Sequence, residues 1–114
     1  MAKSRAQNRI ELMQGTLDMM ILRTLTWGPQ HGHGIGTSIR TTSDEALKIE
    51  HGSLYPALHR LERQRWIVAD WRITENKQRA KYYRLTPSGK KQLAAAQSRW
   101  DQIVAVVARV MRPA

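Results

Sequence analysis

A chain of 114 residues has room for one domain with a single modest core, and without cysteine it carries no disulfide, no thiolate nucleophile and no cysteine-ligated zinc. Nineteen Lys and Arg against nine Asp and Glu leave a formal net charge of +10, the footprint of a polyanion binder, and a 41% hydrophobic fraction suffices for a folded domain. No apolar run approaches the roughly eighteen residues of a membrane span, and the basic start Met1–Arg9 leads into Ile10-Glu11 instead of an apolar core, so a cytoplasmic protein without a secretory signal is expected.

Residues 1–11 carry Lys3, Arg5 and Arg9 with little apolar content and read as a flexible basic arm. Helical periodicity begins at Met13: Thr16 is placed to cap, Asp18 favours the positive helix end, and Leu17, Ile21 and Leu25 recur at four-residue spacing until Trp27-Gly28-Pro29. Met19, Met20 and Leu22 lie off that stripe, so this helix should pack on two neighbours, one of them another subunit. Ile35 and Ile39, with Arg40 near the end, predict a short second helix that Gly36 weakens. After the polar connector Thr41–Glu45, Leu47-Lys48-Ile49 predicts a very short strand.

A third helix is predicted over 53–64, with Ser53 as N-cap, Pro56 in the first turn and Leu54, Leu58 and Leu61 as its apolar stripe. Its other face shows Tyr55, His59, Arg60 and Arg63, basic and rich in hydrogen-bonding groups. Alternation from Ile67 to Thr74 and from Tyr82 to Leu85 predicts two strands around Glu75–Arg79, a hairpin with a basic tip. Thr86-Pro87 opens a last helix running to about Met111, some 37 Å long. Along it Leu93, Ala96, Trp100, Ile103, Val107 and Val110 form a heptad seam, which Val104, Val106 and Met111 widen beyond what one chain can cover.

Three helices followed by a hairpin define a mainly α (α+β) fold, a winged helix-turn-helix whose long C-terminal helix forms a dimer interface. The expected organisation is a basic arm over 1–11, a DNA-binding domain over 12–86 and a dimerisation helix over 87–114. Arg60 and Arg63 can fork onto guanine edges or phosphates, Ser53 at a helix N-terminus can grip a phosphate, and Lys77, Arg79 and Lys81 charge the hairpin. Taken singly, each basic residue suits an ordinary solvated face. Together, on one helix face and one hairpin tip, they favour nucleic acid.

Three segments, Leu12-Met-Gln-Gly-Thr-Leu-Asp-Met-Met-Ile-Leu22, Gly52-Ser-Leu-Tyr-Pro-Ala-Leu-His-Arg-Leu-Glu62 and Arg79-Ala-Lys-Tyr-Tyr-Arg-Leu-Thr-Pro-Ser-Gly89, resemble the PadR family of transcriptional regulators. The resemblance implies a dimeric repressor of bacterial genes, of the short kind with a single C-terminal helix. It implies double-stranded DNA contacts at Ser53, Tyr55, Pro56, His59 and Arg60, with Lys81 and the preceding basic residues in the wing, whereas Tyr83 and Leu85 belong to the wing core. Where the family commonly has Gly before the first wing strand this chain has Arg65, and holding it left-handed would cost ~1–2 kcal/mol, so a different turn is expected. The homodimer interface is expected at Met19, Leu22, Leu93, Ala96, Trp100, Ile103, Val107 and Val110. Two-fold symmetry then demands a palindromic operator.

Trp100, central in the seam, reads either as dimer core or, as the resemblance implies, as the wall of a pocket for a planar hydrophobic effector. His31, His33, His51 and His59 lack the spacing or carboxylate company of a metal site, and no phosphate loop, carboxylate pair or nucleophile–base pair marks an enzyme. Neither cofactor nor metal is expected. The rival reading is a protein-interaction module whose seam pairs with a foreign helix and whose basic face binds nucleic acid without sequence preference.

Overall fold

The computed structural model describes residues 14–113. Its elements are α1 (Gln14–Thr24), a 3-10 turn (Leu25–Trp27), β1 (Gln30–His31), α2 (Gly32–Thr42), α3 (His51–Arg63), β2 (Ile67–Ile73), β3 (Arg79–Leu85) and α4 (Pro87–Met111). The predicted arm lies outside the described residues.

The core forms where the apolar stripes of the first three helices meet. Leu17, Ile21 and Leu22 of α1, Ile35 and Ile39 of α2, and Leu54, Ala57, Leu58 and Leu61 of α3 are all buried, with Ile67, Tyr83 and Leu93 closing the base. Each fully buried leucine or isoleucine contributes about 1.5–3 kcal/mol of transfer free energy, so this contact sets how the helices are rotated. The third strand of the sheet is not Leu47–Ile49, which is extended coil packed on the core, but Gln30–His31, which pairs antiparallel with β3 at Tyr83 and Tyr82. Sheet order is β1-β3-β2, and β2 pairs with β3 from Ile67↔Leu85 to Ile73↔Arg79. Helices one to three with this hairpin make a winged helix-turn-helix.

Two caps differ from expectation. Helix α1 already runs through Thr16, which therefore sits inside its first turns. Helix α3 starts at His51 behind Glu50, two residues earlier than predicted, so Ser53 is its third residue and Pro56 its sixth. At that position proline removes the helical bond to the carbonyl of Gly52, which is exposed and so open to solvent. Helix α2 is capped by His31, whose Nδ1 accepts the Gly34 N–H at 2.9 Å.

The joint between α3 and the wing keeps the left-handed turn. Arg65 has φ 61°, Trp66 N–H donates to the Leu61 carbonyl at 3.1 Å, and Arg65 N–H donates to the Glu62 carbonyl at 2.9 Å. These are the two bonds of a Schellman cap, and they hold a non-glycine residue where glycine is preferred. The Arg65 carbonyl in turn accepts from Thr86 Oγ1 at 2.8 Å and Ser88 Oγ at 3.1 Å. Thr86 also caps α4, accepting the Gly89 N–H at 3.0 Å, and a Cβ on Gly89 would strike the Trp66 carbonyl oxygen. The end of α3 and the start of α4 are thereby tied into one rigid corner.

Beyond that corner α4 leaves the domain. Every described residue from Gln97 to Pro113 is exposed, and the radius of gyration of 16.1 Å exceeds the roughly 13 Å of a compact chain of this size. Leu22 (1% exposed) and Leu93 (8%) are core residues packed where α1 meets α4, which corrects their expected place in a dimer interface. Because the turn tolerates Arg65 only under strain, Arg65→Gly is expected to raise stability by about 0.5–1 kcal/mol, read as a higher urea midpoint with an unchanged slope. A lowered midpoint would contradict the strain.

Candidate nucleic-acid interface

Burying Leu54, Ala57, Leu58 and Leu61 turns the opposite face of α3 outward, and Ser53, Tyr55, Pro56, His59 and Arg63 all lie exposed on it. Tyr55 is fixed from two sides. The His51 ring meets it edge-on at 5.5 Å, and the buried Gly32 at the start of α2 comes so close that an added Cβ would stand 2.9 Å from Tyr55 Cε1. A side chain at position 32 would push the phenol away, which gives the Gly-rich start of α2 a packing reason.

Arg60 behaves differently from its neighbours. Its Nη2 donates to Asp18 Oδ1 of α1 at 2.8 Å, and its buried Nε has no hydrogen-bond partner among the described residues. Lys81 of β3 likewise binds Glu62 Oε1 at 3.0 Å and lies 5.5 Å from the Tyr83 ring centre. Asp18 and Glu62 thus brace α3 against α1 on one flank and against the wing on the other. Of the basic residues predicted to touch DNA, Arg63, Lys77 and Arg79 form no ion pair among the described residues, while Arg60 and Lys81 are engaged.

The wing carries its charge on a defined turn. Thr74 N–H donates to the Gln78 carbonyl at 2.7 Å, Lys77 N–H donates to the Thr74 carbonyl at 2.9 Å, and Lys77 is left-handed with φ 59°. This is a type I turn followed by a left-handed bulge residue, closing a three-residue loop. Lys77 therefore sits at the tip. Between wing and helix lies an open groove of about 640 Å³, with Tyr55 and His59 on one side, Trp71, Arg79 and Lys81 on the other, and His31 and His33 at one end. Tyr83 is part of its lining, and burial, aided by the Glu62 carboxylate and then by Tyr55, pushes that phenol up to about 12, so it stays a neutral hydroxyl.

The alternation of Ile67, Ala69, Trp71 and Ile73 predicts Trp71 on the apolar stripe of its strand, yet it is exposed, as are Trp27 and Trp100. Its position is legible only once the register shows how far the hairpin overhangs the core. Asp18, separated from Arg60 by 42 residues, gives no local signal of its role. Among the described residues no group of three or more His, Asp or Glu side chains is placed to hold a metal ion, and no helix is long and apolar enough to cross a membrane.

The seam on α4 is continuous beyond the corner. Trp100, Ile103, Val107 and Val110 are all exposed, with Val104, Val106 and Met111 beside them. Ala96 and Met19 are half-buried at its inner end.

The model of the transcriptional regulator PadR-like family matches residues 21–95. A transcriptional regulator from Clostridium thermocellum superposes with a TM-score of 0.80 at 32% identity, over 87% of this chain and 96% of that one. A PadR family transcriptional regulator from Eggerthella lenta does so with a TM-score of 0.75 at 30% identity, over 89% and 86% of the two chains. An uncharacterized protein of Lysinibacillus sphaericus is 27% identical over 99 residues, 87% of this chain and 91% of its own.

If the Asp18–Arg60 pair braces α3, a double-mutant cycle with Asp18→Ala and Arg60→Met should give a coupling energy on the order of 1 kcal/mol in denaturant unfolding, between exposed and buried pairs. Arg63→Ala should change stability by less than about 0.5 kcal/mol. Zero coupling would remove the brace.

Proposed function

From the premise that the chain belongs to the transcriptional regulator PadR-like family, we propose that it is a homodimeric repressor whose two α3 helices enter successive major grooves of a palindromic operator in or near its own promoter. The observation that carries this reading is the outward face of α3. Ser53, Tyr55, Pro56, His59 and Arg63 stand exposed together on a rigidly braced helix beside a basic wing. Arg63, without an ion pair among the described residues, is the candidate for a guanine edge or phosphate, and Lys77 and Arg79 meet backbone or groove alongside. Ser53, near the helix N-terminus, donates to phosphate. Arg60 and Lys81 serve mainly by aiming the helix and the wing.

The second copy is supplied by α4. A stripe of Trp100, Ile103, Val107 and Val110, exposed along a half-helix whose only charged residues are Arg99, Asp101 and Arg109, is an apolar surface that the described residues of one chain leave uncovered. Two copies related by a two-fold axis bury it, with Met19 and Ala96 at the margin. At its centre the paired Trp100 rings can frame a slot for a planar hydrophobic effector, whose binding would shift the spacing of the two α3 helices and release the operator.

The experiment is sedimentation with DNA titration of wild type and Val107→Glu. Wild type should sediment as a dimer, and Val107→Glu as a folded monomer that loses at least about 10²-fold in affinity for a two-half-site duplex, because linked binding is lost. A wild-type monomer would contradict this reading and favour the module whose seam awaits a foreign helix.

A further inference from the structure

The distal half of the wing is unlike an ordinary solvated hairpin. Register places Ile67, Ala69, Trp71 and Ile73 on one face with Leu85, Tyr83, Lys81 and Arg79 opposite them. The first two rows are the base of the core, but the hairpin then overhangs it, leaving Trp71 57% and Ile73 69% exposed. That overhanging face borders the groove opposite Tyr55 and His59. Among the described residues nothing covers it.

Arg79 lies on the indole, with Cζ 4.7 Å from the centre of the Trp71 ring. Of the other basic residues on these two strands, Arg72 has Asp70 at 3.4 Å and Lys81 has Glu62 at 3.0 Å, while Arg84 forms no ion pair among the described residues. Among the described residues Arg79 has no carboxylate, only the ring, which restricts the guanidinium without neutralising it and leaves its N–H edges open to acceptors. A guanidinium is already weakly hydrated, and an aromatic platform strips it further. Such a cation, flanked by apolar surface, suits the narrow minor groove of A·T-rich DNA, where the negative field is strongest and the walls are the apolar edges of deoxyribose. A bare phosphate would be met as well by a flexible lysine, and Lys77 at the tip is placed for it.

We infer that Trp71 is a positioning residue that presents Arg79 to the minor groove flanking each half-site, giving the protein a preference for A·T-rich flanks that α3 does not touch. The inference rests on the DNA-binding reading above. It assigns discrimination to a wing residue whose aromatic character is otherwise unexplained. Trp71 acts through Arg79, and Ile73 in the pair with Arg79 completes the apolar edge.

The test uses the full-length protein and a duplex bearing the site that wild type enriches from a random pool. Its flanks are rebuilt as A·T, as G·C or as inosine·C, which shows a G·C-like major groove and, lacking the guanine 2-amino group, an A·T-like minor groove. Wild type should prefer A·T and inosine·C flanks over G·C by about tenfold. Trp71→Ala should erase that preference while binding G·C-flanked duplex as wild type does, Arg79→Ala should erase it while also weakening all three duplexes through the lost charge, and Trp71→Phe should retain most of it. Thermal melting identifies any variant that fails to fold, and the Trp71→Phe and Arg79→Ala arms then decide the matter. Inosine·C behaving like G·C, or Trp71→Ala weakening all three duplexes equally, overturns the proposal. Wild type that favours the enriched site over a scrambled duplex but ignores its flanks also overturns it, and leaves the DNA-binding reading intact. Wild type that favours no site overturns both.

Discussion

Every functional placement in this chain depends on the rotation of α3 about its own axis. A helix of thirteen residues turns one face inward only if that face is more apolar than any other, and Leu54, Ala57, Leu58 and Leu61 at helical spacing provide that difference. Rotating the helix by one residue, about 100°, would bury His59 or Arg60 in their place at a cost of several kcal/mol. The ion pairs at Asp18 and Glu62 act on what hydrophobic burial leaves loose. They do not create the orientation, but they narrow it on both flanks, with charges that would otherwise compete for the same polyanion.

In the proposed homodimer, orientation within one chain matters only if it is transmitted to the second copy. The corner formed by Arg65, Trp66, Thr86 and Gly89 does this by covalent proximity and short hydrogen bonds. The carbonyl of a strained Arg65 is held by two hydroxyls from the start of α4, and the Trp66 carbonyl fits only because residue 89 has no side chain. A displacement at the far end of α4 therefore moves the end of α3 as a lever would, without an intervening flexible loop. The same stiffness makes the separation of two α3 helices in a dimer depend on how the α4 stripes pack.

Much of this was legible in the sequence because the periodicities are strong. The last helix was predicted from Thr86-Pro87 to Met111, and those are its bounds; cap, proline and stripe all agree there. Helix three was found by its leucines but started two residues late, since Ser53 is a better cap by type than Glu50 and nothing local shows that His51 and Gly52 join the helix. The strand at Leu47–Ile49 failed for a different reason. Three residues with two apolar side chains look alike as strand or as packed coil, and pairing of Gln30–His31 with β3 is a long-range choice that no window contains. The surface itself divided in the same way. Residue types on the outward face of α3 were readable, whereas the engagement of Arg60 by Asp18 and the overhang that exposes Trp71 are set by tertiary distances. The preference of Arg65 for another turn lost to the two backbone bonds of the cap, which are collectively stronger than the strain.

The central claim is that a braced helix face and a basic wing make a sequence-specific DNA-binding surface, and fluorescence anisotropy tests it most directly. Purified protein is titrated onto its own upstream region and onto a scrambled duplex of equal length across a salt series. The account predicts a preference for the upstream duplex that persists at physiological salt, while affinity for both falls by about 10³–10⁵ between 50 and 200 mM if six to ten phosphates are neutralised. Equal binding to both duplexes, collapsing together as salt rises, would contradict it and leave only a basic domain.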